Sequence, residues 1–403
     1  MKSIFNELDL KDGNGLPLNM FETYQKMFDK ASEKEVTLYQ KMYMDEWFET
    51  DPIQINLTAE GLSEKSNVRF MATLIGDEAP TPLMRSDGFD IWKGEIPRTG
   101  LKFVMPAKLY RKLIEITENP RLSDAQKAKY VKNELDKHMK NAYLGCKDTQ
   151  DYIILQALSN FGIAKFTPEL NNPGGRKYEV DYSMDERNKL VSVFNWTDEN
   201  IAAGKVRPIE MLSAICSDMS DRGITPGEVL VSSKMFYWLL RSPETKLLVN
   251  GDDKKASPVA IEAFQNYLQS LGIPRITPIR RKVAIDSDGN RVDLNAWNDS
   301  IIAIKPEGKI GSIQPAVEDN ELMPEKDVDY INAGDGIRIA KWRTGETSGQ
   351  QAAEYTQGSW RAIPKITSIN QIINIQVRDI KEKTSLNKTE AGFVTLSEFN
   401  QAK

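Results

Sequence analysis

Asp286, Asp288 and Asn290 follow the D-x-D-x-N spacing with which calcium-binding loops begin. A complete loop of that kind also needs glycine at its sixth position and glutamate at its twelfth. Here those positions hold Arg291 and Trp297, so the run is expected to be a hairpin turn with an exposed tip and no metal. Gly308-Lys-Ile-Gly311 lacks the Gly-x4-Gly-Lys-Ser/Thr order of a phosphate loop, and Gly223-Ile-Thr-Pro-Gly227 reads as a helix stop and linker. His138 is the only histidine and lies in a charged helical context, which argues against triads and histidine-rich metal sites. Cys146 and Cys216 are the only cysteines, too few for a disulfide framework or a four-thiolate site within one chain. Among 58 acidic residues no pair stands out as general acid and base. No catalytic residue, cofactor or metal is therefore expected.

The elements that would have positioned such chemistry are plain to read. The 403 residues are 40% hydrophobic and 28% charged, an ordinary globular composition with chain enough for a sizeable core. A net charge of −5 carries no global basic footprint of a dedicated DNA reader. No signal-peptide core or membrane-spanning run is visible, and a soluble protein of a reducing compartment is the expectation.

Phe21, Tyr24, Met27, Phe28 and Ala31 recur at helical spacing, predicting an amphipathic helix near the N-terminus. Val68–Ile75 and Leu101–Met105 read as strands enclosing a Pro- and Gly-rich excursion, expected to be a long projecting β-loop or, failing that, an active-site lid. Ser123 and Gln126 have capping-box spacing before a long helical run ended by Gly162, with Gly145 a possible break. Ile163–Thr167 and Lys177–Tyr182 read as a hairpin. Pro208 opens a helix stopped by Gly223, Val229–Val231 is a short buried strand, Ser233 caps a helix, and Pro258 starts another stopped by Gly272. Val283 and Ile285 alternate into the turn at Asp286–Asn290, Val292 and Leu294 alternate out of it, and Ile301–Ile304 is a further strand. Ile337–Trp342 and Ile372–Val377 are strand-like, and the polar tail from Lys381 is expected to be mobile.

This order of elements resembles the major capsid proteins of tailed phages, the Hong Kong 97-type fold, in its lambda-type branch. The resemblance rests most on Met219–Leu240, on Ala284–Gly289 through Ile304–Gly311, and on Pro364–Ile369 through Val377. It implies an α+β fold: an N-terminal arm (1–66), an extended β-loop (67–107), a spine helix with peripheral strands (108–195), an axial domain (196–345), returning peripheral strands (346–380) and a tail (381–403). It implies a structural protein, not an enzyme, self-assembling as hexamers and pentamers into an icosahedral shell around double-stranded DNA. The implied setting is the virion, after synthesis in the bacterial host cytoplasm. Implied partners are copies of itself, scaffolding, portal and decoration proteins, and the packaged DNA. Intersubunit contacts would come from Arg85, Phe89, Trp92 and Lys93 in the β-loop and from Asp286, Asp288 and Asn290 at the hairpin tip. Two rivals stand beside this reading: a cellular nanocompartment shell of the same fold, and a carboxylate-based enzyme with residues 68–105 as its lid.

Overall fold

Ser123 fixes where the longest helix begins. Its hydroxyl accepts the Gln126 N–H at 3.3 Å, and the Gln126 side chain accepts the Ser123 N–H at 3.0 Å, the capping box that the spacing predicts. The helix then runs unbroken for 35 residues, Asp124–Leu158, about 52 Å at 1.5 Å per residue. It ends where Gly162, at φ +84°, donates back to the Ala157 carbonyl at 2.9 Å.

The computed structural model describes residues 41–64, 89–251, 258–287, 289–345, 353–381, 383 and 392–402. Along them run α1 (Met44–Trp47), β1 (Phe48–Thr50), β2 (Thr58–Glu64), β3 (Phe89–Glu95), β4 (Arg98–Pro106), α2 (Ala107–Glu118) and the spine helix α3 (Asp124–Leu158). Next come β5 (Ile163–Phe166), β6 (Tyr178–Asp181), β7 (Lys189–Ser192), α4 (Asp198–Ala202), α5 (Pro208–Asp221), β8 (Pro226–Ser232), α6 (Ser233–Leu239), α7 (Pro243–Asn250) and α8 (Ile261–Ser270). The chain continues through β9 (Ile276–Ile279), β10 (Lys282–Ser287), β11 (Asn290–Asn295), β12 (Ile301–Pro306), β13 (Gly311–Ala316), α9 (Asp319–Leu322), β14 (Asp329–Asn332) and β15 (Arg338–Thr344). It closes with β16 (Ala353–Lys365), β17 (Ile373–Gln376), β18 (Phe393–Thr395) and α10 (Leu396–Gln401).

Two six-stranded sheets organise these elements. In the first, the long strand β16 carries β4 along one edge over Ala353–Arg361. Its other edge pairs with β15 over Ala353–Ser359 and then with β13 over Arg361–Lys365. β14 adds to β15, and β1 lies parallel to β13. The spine helix lies on this sheet at close range. A Cβ on Gly358 of β16 would sit 2.4 Å from the Ala142 carbonyl oxygen, so only glycine permits the approach. A Cβ on Gly145 would sit 2.7 Å from Leu101, which is why the helix has glycine there without breaking. Thr149 Oγ1 also donates back to the Gly145 carbonyl at 3.1 Å, a local bond compatible with the continuous helix.

The second sheet runs β18-β7-β17-β12-β8-β9. Its strands serve two cores by simple alternation. Val229, Val231, Ile302 and Ile304 face a cluster with Leu212, Ile215 and Met219 of α5, Phe236 of α6 and Phe264 of α8. Leu230 and Ala303, between them in sequence, join the other cluster with Met139, Cys146 and Ile153 of the spine and Trp360 of β16. The all-buried β12 has no solvent face at all.

Several boundaries differ from the sequence reading. Strands β13, β14 and β15, expected together with β8 to β12 in one unit ending at 345, belong to the sheet that carries the spine, whereas β17, expected among the returning strands, belongs to the second sheet. Apolar runs announce a strand but not which of two fully buried sheets it joins. β16 falls within the returning strands expected over 346–380, but its bounds are not legible because Glu354, Thr356 and Ser359 are buried polar residues that erase its apolar alternation. The β-loop is also rooted differently. Its described base pairs β2 with β3, Thr58 opposite Glu95 to Glu64 opposite Phe89, while Leu101–Met105 lies inside β4 of the first sheet. The arm expected over 1–66 is embedded by residue 43, since Tyr43, Met44, Trp47 and Phe48 are core residues. The tail returns too: β18 pairs with β7, and Thr395 with Glu398 forms a second capping box. Ser232, not Ser233, caps α6, and α8 starts at Ile261. The helix expected at 21–31, the strand at 68–75 and the start of the returning strands at 346–352 lie outside the described residues.

Replacing Gly358 by valine pushes a side chain into the spine backbone at Ala142. Overpacking of this kind is expected to cost about 1–3 kcal/mol, read as a lower urea midpoint with an unchanged m-value. A midpoint equal to wild type contradicts the close helix–sheet contact.

Candidate assembly surfaces

Arg281 lies between β9 and β10, 4% exposed. Its guanidinium reaches two carboxylates one helical turn apart on the spine, Asp148 and, at 3.2 Å, Asp151. Asp151 also accepts the Met44 N–H at 2.8 Å, so three chain segments separated by more than a hundred residues meet at one charged cluster. Burial pushes the Asp151 carboxyl up to about 7, against the pull of Arg281 and of the Met44 and Tyr43 N–H groups. Asp148 moves the same way for the same reason. Spine and second sheet are joined again at the helix end, where the Asn374 side chain of β17 donates to the Leu158 carbonyl.

Besides the β5–β6 hairpin, two further ribbons form separate two-stranded sheets, β2–β3 and β10–β11. The first carries the expected contact residues of the β-loop, and the structure divides them. Trp92 is 3% exposed and meets Tyr182 edge-on at 4.9 Å between ring centroids. Its indole covers Gly61 on the facing strand so closely that any Cβ there would collide with it. Trp92 therefore anchors the ribbon within its own subunit, which corrects its expected place on an intersubunit surface. Tyr182 in turn donates to the Pro364 carbonyl at 2.8 Å, tying that anchor to β16. Lys93 is exposed and pairs with Glu60 across the ribbon at 2.6 Å. Phe89 lies in β3 opposite Glu64, and Arg85 lies outside the described residues.

The second ribbon is the hairpin read from sequence. Ser287 faces Asn290 across the turn, and the Asp286 carboxylate accepts the Gly289 N–H at 2.8 Å. Gly289 sits at φ +80°, the left-handed backbone that a tight turn requires. Asp286 and Asn290 are exposed at the tip, and Asp288 lies outside the described residues. β11 buries no residue along its length. Sequence reading missed Arg281, Asp148 and Asp151, whose spacing along the chain carries no sign that they meet.

His138, Glu244 and Glu210 each have a partner within the fold. His138 packs edge-on against Phe103 at 5.6 Å. A cleft of about 840 Å³ opens among α4, α5, α7 and α8, with Glu210 and Glu244 as its two carboxylates. Glu244 accepts the Ile209 N–H at 3.1 Å and so caps the start of α5, and burial pushes its carboxyl up to about 7. Glu210 pairs with Arg207 at 3.1 Å. Among the described residues no three His, Cys, Asp or Glu side chains gather to hold a metal, and no helix is long and apolar enough to cross a membrane.

Two large sheets, a helix laid along one of them and separate two-stranded ribbons make up the fold. A crystal structure of a protein assigned as a prophage capsid protein of E. coli CFT073 is similar over 90% of this chain and 99% of its own, with a TM-score of 0.51 at 14% identity. A phage-related protein of Bordetella bronchiseptica RB50 is similar over 87% of this chain and 96% of its own, with a TM-score of 0.46 at 11% identity. The capsid of Myoviridae phage XM1 gives 86% and 95%, with a TM-score of 0.39 at 10% identity. No protein-family model and no curated protein matches the sequence. The chain has the phage-capsid fold that the Hong Kong 97-type resemblance implied.

A carboxyl whose pKa in the fold lies above the ordinary aspartate value of 3.8 binds its proton on folding. The contribution of Asp151 is therefore complete below about 4 and is lost as pH rises through about 7. Wild-type stability should fall between pH 5 and pH 8 by an Asp151 share on the order of 2 kcal/mol. Urea midpoints across that range should flatten in Asp151→Asn, and an unaltered pH slope contradicts the assignment. Arg281→Met, which leaves both carboxyls buried without their cation, should cost roughly 3–5 kcal/mol at pH 8 and less at pH 5.

Proposed function

We propose that this chain is the major capsid protein of a tailed phage. Copies of it assemble as hexamers and pentamers into an icosahedral shell that encloses the double-stranded DNA genome, after synthesis in the host cytoplasm. The observation that carries the reading is the end-to-end match in fold with the prophage protein, 90% of this chain against 99% of that one. The shape agrees with it. Each ribbon is a two-stranded sheet apart from the two large ones, and an isolated two-stranded ribbon is marginal in water without something to pack on. One side of each ribbon packs on its own subunit, through Ala59 and Trp92 or Val283 and Leu294, and in a shell neighbouring copies meet the other side through heterologous contacts that close into rings. Lys93, Phe89 and Arg85 on the β-loop, and Asp286, Asp288 and Asn290 at the hairpin tip, are the residues offered to neighbours. Scaffolding, portal and decoration proteins are the further partners of this reading. No catalytic role is assigned, because the raised carboxyls Asp151 and Glu244 are both committed to holding the fold.

The register of the β-loop ribbon makes a clean test possible. Glu64 and Phe89 are paired directly, so residues 65–88 can be replaced by an Asn-Gly turn that closes the ribbon as a hairpin. The wild-type chain is expected to sediment as closed particles and the replaced chain as a folded subunit or small ring, with a melting temperature within a few degrees of wild-type subunits. Full-size particles from the replaced chain, or a wild type that stays monomeric under all assembly conditions, overturn the proposal.

A further inference from the structure

Lysine and arginine are unevenly placed in this acidic chain. Between Lys102 and Lys140 stand ten of them against five Asp and Glu, so the rest of the chain carries a net charge of −10. That stretch is β4, α2 and the first half of the spine helix. Helix α2 folds back on the spine, Leu113 of one and Val131 of the other sharing a core. Lys108, Arg111 and Lys112 occupy the exposed side of α2, and Lys129, Lys137 and Lys140 that of the spine. The last three fall at spacings of eight and three residues, a stripe opposite the buried Val131, Met139 and Ala142. Lys129 to Lys140 spans about 16 Å of helix. None of the six forms an ion pair among the described residues.

Helix stability does not explain the placement. In α2 the cations crowd the N-terminal half while Glu115 and Glu118 sit near its C-terminal end, the reverse of what the helix macrodipole favours. Nor does the surface resemble a protein interface, whose centre is depleted of lysine and anchored by apolar side chains. Among the described residues, Val104 and Tyr130 are the only large apolar ones exposed across this stretch. A band of cations that form no ion pair among the described residues, with little exposed apolar anchor, suits a polyanion bound through its repeating phosphates.

We propose that the α2–spine face binds the phosphate backbone of double-stranded DNA without sequence preference, and so is the side of the subunit turned to the packaged genome. The surrounding acidic surface repels the same polymer and confines it to this face. The inference rests on the capsid reading for the identity of the polyanion, and its test is separable from that reading.

Fluorescence anisotropy with a labelled 30-base-pair duplex, on the full chain as dissociated subunits, measures affinity against salt concentration. Each phosphate contact contributes a slope of roughly −0.9 in log K against log salt. Two variants are compared with wild type: Lys129→Gln, Lys137→Gln and Lys140→Gln together, and those three with Lys108→Gln, Arg111→Gln and Lys112→Gln. Glutamine keeps helix propensity, and the three-site variant remains informative should the six-site one fold poorly. The slope is expected to become shallower by about 2–3 units in the first variant and about 4–5 in the second. Wild type that does not bind, or variants that keep the wild-type slope, overturn the inference. Binding of poly-glutamate as tight as that of DNA overturns it in favour of an acidic protein partner. Particle formation by the wild-type chain, scored by microscopy in the same preparation, decides the capsid reading independently of these outcomes.

Discussion

Everything in this subunit is arranged around a guanidinium taken out of water. Arg281 is held between two carboxylates of the spine helix, and one of those carboxylates also takes a backbone N–H from the N-terminal segment. Burying such a cluster costs desolvation, and its removal one partner at a time leaves charge stranded in the core. The cluster therefore acts less as a source of stability than as a rule about geometry. The spine, the root of the β10–β11 hairpin and the entry of the N-terminal segment must hold one mutual position or leave a charge unmet.

Packing enforces the same rule without charge. Adjacent residues of β8 and β12 face different cores, so neither sheet can shift without disturbing both. Gly358 lets the spine sit against β16 at a distance that no larger residue allows, and Gly145 leaves room for Leu101 of β4. The outcome is a stiff plate whose two ribbons carry little core of their own. Trp92, laid over Gly61 and against Tyr182, clamps one ribbon to the plate. Stiffness at the centre with protruding edges is what repeated, modest contacts need in order to close a shell, since each contact then meets its partner already oriented.

Much of this is legible in the sequence where the determinants are local. The capping box at Ser123, the glycine stops at Gly162 and Gly223 and the turn at Asp286–Asn290 all stand where short-range chemistry puts them. What the sequence hides is long-range. β16, the central strand of the first sheet, carries buried Glu354, Thr356 and Ser359 in place of an apolar alternation, and Lys341 lies buried beside Glu354. β12 and β13 are separated by only four residues yet enter different sheets. The Arg281 cluster joins residues 133 apart, and nothing in the local pattern of Asp148 or Asp151 distinguishes them from solvated helix carboxylates. Trp92 misleads for the opposite reason: an aromatic in a projecting segment suggests a contact, while its actual partner is a glycine across the same ribbon.

The central claim is that this plate with two ribbons is the repeating unit of a closed shell. Cryo-electron microscopy of particles assembled from the wild-type chain tests it most directly. The account predicts an icosahedral reconstruction in which the subunit fits with its two sheets unchanged and its ribbons lie against adjacent copies. Particles whose ribbons touch no neighbour, or a sample that holds only discrete monomers with a ligand in the cleft beside Glu244, contradict it.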